Sequence, residues 1–398
     1  MKKKLIFIIL ANIFIFIFLE LSAKIILKTL NKDSFYRIGN IPDNLYDYLT
    51  GYYNKPNTKE IINPYRQATD RYGFNLDGDR EETDLTLKKN KIFRLFILGG
   101  STVQGRFLEN KYDPISARLE KKLKNNLSDL DVIFEVVNVG ASSFFSGQEF
   151  SLIEKKISYA MHPDYIIVVN GTNDYALPFD NEFHLSNSHY YQIEFQKRFL
   201  KNSSNLLYYF DDWSSKNISL YFLTKKIIEK ITGIYLFDRE LREKKLLSKG
   251  NSDLELVNKN KAYRYIYNLK RVSEVADKKT HISYFFQPQM LPRNINTLSE
   301  PDRDKYKSFE KINENYFTNK QLFYNLAKKE IHKFNNLDKT KNNKHFELVD
   351  LQNILDLSSN GENFYSDHVH YTPVSREIIA ENIFNSIKNK IRAMKNLD

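Results

Sequence analysis

The chain of 398 residues contains no cysteine. That excludes a disulfide scaffold, a thiolate nucleophile and a Cys-ligated zinc or iron–sulfur site. Glycine and proline are sparse, at 13 and 10 residues, which excludes a collagen-like or Pro/Gly-rich disordered chain. Compact blocks of basic residues are also missing. The net charge of +11 is spread along Lys-rich helical stretches, which reads as a solvated surface. No zinc-finger spacing, RNP-like aromatic motif or basic zipper points to nucleic acid. There is no P-loop and no dinucleotide fingerprint, because Gly99-Gly100-Ser101-Thr102-Val103-Gln104-Gly105 lacks the Lys and the glycine spacing. No cofactor or metal ligand set is legible. Hydrophobic residues at 41% and aromatics at 14% supply ample material for a core.

Long apolar runs are also scarce, with one exception at the amino terminus. Lys2, Lys3 and Lys4 precede an apolar run from Leu5 to Leu19, broken only by Asn12. Glu20 and Lys24, four apart, separate it from Ile25–Leu27. As a helix, Leu5 to Leu27 rises about 34 Å, enough for a bilayer core. The positive start predicts an amino terminus in the cytoplasm and export of the remaining chain. This segment, residues 1–30, is expected to be a single-pass anchor in the bacterial inner membrane. A signal peptide cleaved after Leu21-Ser22-Ala23 and a buried soluble helix are the rival readings. No later stretch is apolar enough to cross again.

Residues 31–90 read as a stem packed on the main domain, with turns at Asn63-Pro64 and Asp77-Gly78-Asp79. From residue 91 the pattern alternates regularly. Strands are predicted at Phe93–Leu98, Val132–Val139, Tyr165–Val169, Ile282–Phe286 and near Phe346–Val349. Helices are predicted after Pro114, at 147–161 with Ile153, Ile157 and Ala160 on one face, near 261–278, over 303–335 and at 374–391. Strands alternating with helices mean an α/β fold, a parallel sheet covered on both sides. Residues 176–260 break the rhythm. They hold Trp213, the pairs Tyr190-Tyr191 and Tyr208-Tyr209, His184, His189 and an apolar helical segment near 219–236, and read as an inserted cap over the carboxyl edge of the sheet.

Ligands of an open parallel sheet bind beyond the carboxyl ends of its strands. Four polar loops lie there: Gly99-Gly100-Ser101-Thr102, Asn138-Val139-Gly140-Ala141-Ser142, Asn170-Gly171-Thr172-Asn173-Asp174, and Tyr365-Ser366-Asp367-His368-Val369-His370-Tyr371. Ser101 follows two glycines that permit close substrate approach. The Asp367–His370 spacing lets a carboxylate orient an imidazole as base for the Ser101 hydroxyl. The Asn173 amide, with the backbone N–H groups of Ser101 and Gly140, can face a developing oxyanion. His368, one residue after Asp367, is the nearest competitor for the base, and His162 before Pro163 reads as a helix end. Singly, each feature has a bland reading: a cap, a turn, a surface pair. Together at successive strand ends they specify a site.

These blocks resemble the SGNH (GDSL-type) hydrolase family. Gly99-Gly100-Ser101 matches its first block, Gly140 its second, Gly171-Thr172-Asn173-Asp174 its third, and Asp367-His368-Val369-His370 its fourth. The match extends over residues 91–391. Gly100 stands where the family name has Asp, and Ser375 where many members have Gly after the His. Tyr72-Gly73-Phe74 and Phe286-Gln287-Pro288 resemble a membrane-anchored bacterial subgroup linked to surface polysaccharides. The resemblance implies a three-layer α/β/α sandwich with a five-stranded parallel sheet over residues 91–398. It implies Ser101 as nucleophile, His370 as base, Asp367 as its partner, and Ser101, Gly140 and Asn173 as the oxyanion hole, with no cofactor. The activity expected is hydrolysis or transfer of an O-acyl group, such as acetyl, on a cell-envelope carbohydrate. A catalytically silent scaffold or glycan-binding subunit is the alternative.

Overall fold

A computed structural model describes residues 2–29, 44–45, 53–54, 56–58, 68–88, 91–105, 110–176, 214, 218–232, 251–275, 280–291, 295, 298–312, 315–341, 346–355 and 362–395. Two compact units emerge, one of Met1–Pro42 with Ile193–Lys249, the other of Asp43–Gln192 with Gly250–Asp398. Most of the expected cap, with Trp213 and its aromatic pairs, lies outside the described residues.

The larger unit is built on a parallel sheet of β1 (Ile92–Gly99), β2 (Ile133–Asn138), β3 (Tyr165–Asn170), β4 (His281–Phe286) and β5 (Phe346–Asp350). Its order is β2-β1-β3-β4-β5, so the chain reverses direction between β1 and β3, a switch point of the kind where ligands bind. The central strands are apolar without alternation because both faces are covered: every residue of β3 is buried. Phe93, Leu95 and Ile97 face helices α3 (Ile115–Asn126) and α10 (Pro373–Lys395), whose Leu119, Leu123, Ile379 and Ile383 complete one core layer. On the opposite face lie α4 (Ser146–Leu152), α7 (Asn251–Val275) and α9 (Tyr316–Lys341). There Phe286 of β4 meets Tyr265 of α7 and Tyr324 of α9. This is the three-layer α/β arrangement expected.

Two helices depart from the simple pattern. The helix begun by α4 passes through a π-helical turn at Ile153–Ile157 before ending at Ser158–Ala160, which keeps Ile153 and Ile157 both buried. The long helical region after residue 300 is two helices, α8 (Glu300–Ile312) and α9, separated at Asn315, whose φ of 62° is left-handed. Asn tolerates that conformation, and α9 begins one residue later, at Tyr316. His162 is exposed with φ 48°, just past the helix that ends at Ala160, the helix end its place before Pro163 suggested.

The described residues of the stem from 53 to 88 pack against the sheet. Phe74 is fully buried between the rings of Tyr53 and Phe96, and a buried Arg80–Asp70 ion pair at 2.6 Å ties the turn that carries it. Gly73 has φ 79°, and a Cβ there would meet the Asn54 carbonyl oxygen at 2.5 Å, so only glycine fits.

In the smaller unit, α1 (Lys2–Thr29) packs on α6 (Ser219–Thr232). The Glu20 carboxylate accepts the Ser219 and Leu220 N–H groups, both at 2.8 Å, capping α6. Among the described residues no helix is long and apolar enough to cross a membrane. The spanning role expected of α1 is therefore not a finding of the structure.

Candidate active site

β1 ends at Gly99, and Ser101 opens the single-turn helix α2 (Ser101–Gln104), closed by Gly105 at φ 98°. Gly99 is forced by backbone, whereas Gly100 leaves room for a side-chain end. A Cβ on Gly99 would fall 2.5 Å from the Val169 carbonyl oxygen, and one on Gly100 2.2 Å from Asn173 Nδ2. Ser101 Oγ lies 2.8 Å from His370 Nε2, across 269 residues of sequence. His370 Nδ1 is 2.7 Å from Asp367 Oδ2. A carboxylate only accepts, so Nδ1 carries the proton and Nε2 is left to accept from the Ser101 hydroxyl. Asp367 is fixed in turn: its Oδ1 accepts the N–H groups of Val369 and His370, each at 2.8 Å. Burial raises the Asp367 pKa, but the His370 hydrogen bond, the charges of His370 and His368 and the Val369 N–H outweigh it, holding the carboxyl well below its ordinary range. His370 itself is 3% exposed. His368 is turned elsewhere, its ring stacked on Phe309 at 3.7 Å.

β3 ends at Asn170, and Gly171, at φ 126°, turns the chain into α5 (Thr172–Ala176). A Cβ on Gly171 would collide with the Phe286 ring and the Tyr324 hydroxyl at 2.8 and 2.9 Å. Asn173 Nδ2 spends one hydrogen on the Phe144 carbonyl at 2.6 Å, which aims the amide over Gly100, beside the nucleophile. Beneath it, Asp174 accepts the Ser146 N–H at 3.1 Å and the Ser146 hydroxyl. Burial lifts the Asp174 pKa to about 6. Glu149, fully buried, is pushed well above the usual carboxylate range by burial and by the Asp174 charge. Its Oε2 accepts from Asn170 Nδ2 and, at 3.3 Å, from the Tyr284 hydroxyl, while Oε1 is buried without a hydrogen-bond partner.

Gly140 differs from the expectation. Its N–H donates to Asn138 Oδ1 at 2.8 Å, because the Asn138 side chain folds back over the strand end in an Asx turn. The donor expected for the oxyanion hole is thus engaged within its own block. Gly140 has to be glycine on steric grounds, since a Cβ would lie 2.5 Å from the Gln104 backbone nitrogen. Its carbonyl accepts from Asn54 Nδ2 at 3.0 Å and Asn75 Nδ2 at 2.9 Å. These two stem residues hold the second block in place, and sequence reasoning missed them. Asn75 directly follows the Tyr72-Gly73-Phe74 motif, the one signal that pointed there. The Ser101 backbone N–H, at the first position of α2, donates to no oxygen among the described residues.

Four strand-end loops converge on one edge, with a serine, an imidazole and a carboxylate in hydrogen-bonded series. The arrangement resembles an SGNH hydrolase site. Ser375, at the departure from the family pattern, is accommodated because its buried hydroxyl donates to the Phe364 carbonyl at 2.6 Å. No family model and no curated protein matches the chain. Among solved structures it is similar to a member of the lipolytic protein G-D-S-L family from Veillonella parvula DSM 2008, at 10% identity over 73% of this chain and 96% of that one, with a TM-score of 0.38. It is also similar to a catalytic mutant of Axe2, an acetylxylan esterase from Geobacillus stearothermophilus, at 11% identity over 76% and 96% of the two chains, with a TM-score of 0.39. A third is LAE5, an alpha/beta hydrolase enzyme from the metagenome of Lake Arreo, Spain, at 12% identity over 76% and 97%, with a TM-score of 0.36.

Proposed function

We propose that the chain is a serine-dependent acyl-ester enzyme, hydrolase or O-acyltransferase, acting on an acylated carbohydrate of the cell envelope. The observation that carries this reading is the Ser101–His370–Asp367 series, with both bonds at 2.8 Å or shorter. Ser101 Oγ attacks the ester carbonyl carbon and passes its proton to His370 Nε2. Asp367, ionised and held by two backbone N–H groups, faces the imidazolium that forms. The carbonyl oxygen takes up the negative charge beside the Asn173 amide and the Ser101 N–H. Collapse expels the sugar oxygen, which takes the proton back from His370 and leaves the acyl group on Ser101. Water or a second hydroxyl, deprotonated by His370, then accepts the acyl group. The two outcomes share the first half-reaction and differ in the acceptor.

In the same reading α1 anchors the chain in the inner membrane, with the catalytic unit outside the cytoplasm. The triple lysine start and the apolar run after it support this. So does the exposure of Phe14, Phe16, Phe18 and Leu21 around the helix.

A fluorophosphonate probe tests the activity. The purified chain should be labelled covalently, with the adduct mapping to Ser101, and Ser101→Ala should be blank. Release of acetate from a peracetylated oligosaccharide, with and without an added unacetylated acceptor, then separates hydrolysis from transfer. A correctly folded chain that neither labels nor turns over any acyl ester is a scaffold, and the reading fails.

A further inference from the structure

Lys320 is fully buried on α9, and its ammonium nitrogen has no hydrogen-bond partner. Proteins rarely bury a cation alone, because lost hydration is recovered only from an opposing charge or from acceptors. Its neighbours on the helix define where it sits. Tyr316, Lys320 and Tyr324 are spaced four apart and so form one stripe of α9. The Tyr316 ring lies 5.9 Å from the His368 ring, beside the loop that carries Asp367 and His370, and 5.5 Å from Lys320 Nζ. Tyr324 stacks on Phe286 at 4.4 Å and abuts Gly171, at the loop that carries Asn173. The stripe therefore lies along the seam between the base loop and the oxyanion loop, with the amine at its middle. The charge of Asp367 opposes the effect of burial on that amine.

We propose that Lys320 is a positioning residue for the triad: through Asp367, its charge opposes protonation of His370 and so keeps the base free at lower pH. The inference rests on the functional reading above. Asp367 alone would favour the imidazolium, and a nearby buried cation offsets part of its field. The other ionisable groups around the base are His368 on the same loop, Tyr371 with its hydroxyl on the Pro288 carbonyl, Tyr316 from α9, and from α8 Lys305, 2.5 Å from the Tyr365 carbonyl, with Asp302, which accepts the Phe364 and Tyr365 N–H groups. Lys305 and Asp302 pair with each other at 3.3 Å, and removing the Lys320 charge leaves both in place. Burial lowers the Lys320 pKa to about 7, with Asp367 opposing the shift, so the amine carries its charge below neutral pH.

The test uses the full chain and a chromogenic acetyl ester. Lys320→Met keeps the length and removes the charge. The acid limb of kcat/KM should move up by roughly 0.5–1 pH unit, since His370 then binds its proton more tightly. The His370 imidazole signal, followed by NMR with 13C-labelled histidine and assigned by its loss in His370→Asn, should titrate higher by the same amount. Lys320→Arg, charged at every pH, should keep the limb at or below the wild-type position, and it serves alone should the Met variant not fold. Limb and NMR titration both unmoved in Lys320→Met, or a limb that rises in Lys320→Arg, would overturn the proposal. A wild type that turns over no ester overturns the functional reading instead, and the NMR titration still decides the role of Lys320.

Discussion

Asn173 Nδ2 occupies the space that a side chain on residue 100 would need: a Cβ there would lie 2.2 Å from it. The backbone at Gly100, with φ −79°, suits any residue, so glycine is required for the neighbour and not for the turn. An oxyanion donor is effective when it is held in place before charge develops. Gly100→Ala should push the Asn173 amide aside, lowering turnover by at least tenfold while the melting temperature moves little, because an amide end yields at modest cost. Asn173→Ala should lower turnover about 10²–10³-fold. A Gly100→Ala enzyme with wild-type kcat would show that the amide has no part in the reaction.

The base assignment is separable from its neighbour two residues away. His370 Nε2 is within 2.8 Å of the nucleophile, whereas His368 is stacked on Phe309. His370→Ala and Ser101→Ala should each cost about 10⁴-fold or more in kcat, and the double variant little beyond either, since they act as a unit. His368→Ala should keep most of the activity and lose some stability with the ring contact. Because Asp367 is held ionised far below neutrality, the acid limb of the rate profile belongs to His370. Activity falls as pH drops through its folded-state pKa.

Topology gives a third expectation. A reporter fused after Asp398 should be active only outside the cytoplasm, and the intact chain should stay with membranes through carbonate extraction. A soluble cytoplasmic product would remove the anchor from the reading.

The sheet was legible because β1 and β3, buried on both faces, read as apolar runs ending in Gly-Gly and Asn-Gly, and the site because its residues sit at those ends. The features that escaped depend on partners remote in sequence. The π-helical turn at 153–157 leaves no mark in a local pattern that reads as a plain helix. The Gly140 N–H is claimed by a side chain two residues back, which spacing alone does not reveal. Asn54 and Asn75 look like loop residues until the stem folds against β2. Lys320 is one lysine among many in a polar helix. Only the tertiary fold shows that this one is buried, with its amine 5.5 Å from the Tyr316 ring that lies beside the base loop.

The last expectation concerns the carboxylate that links the stem to the second block. Asp77 is buried, accepts from Asn138 Nδ2 at 2.6 Å and from the Ser116 hydroxyl, and so stands behind the Asn138 side chain that holds the Gly140 N–H. Burial raises its pKa from 3.8 to about 7, against the pull of these hydrogen bonds and of Arg80. A carboxyl with a raised folded-state pKa keeps its proton in the fold and loses it in the unfolded chain. Its contribution to stability is therefore full below about pH 4 and is lost as pH rises to about 7, at no more than about 1.4 kcal/mol per unit. Above that both states are ionised and the loss levels off. Asp77→Asn retains the shape and the acceptor oxygen but cannot ionise. The variant's melting temperature relative to wild type should therefore climb by a few degrees between pH 5 and pH 7.5 and then run parallel. Asp174 and Glu149 are common to both proteins and cancel in the difference. Melting curves that keep a constant separation across that range would mean that Asp77 does not hold its proton in the fold.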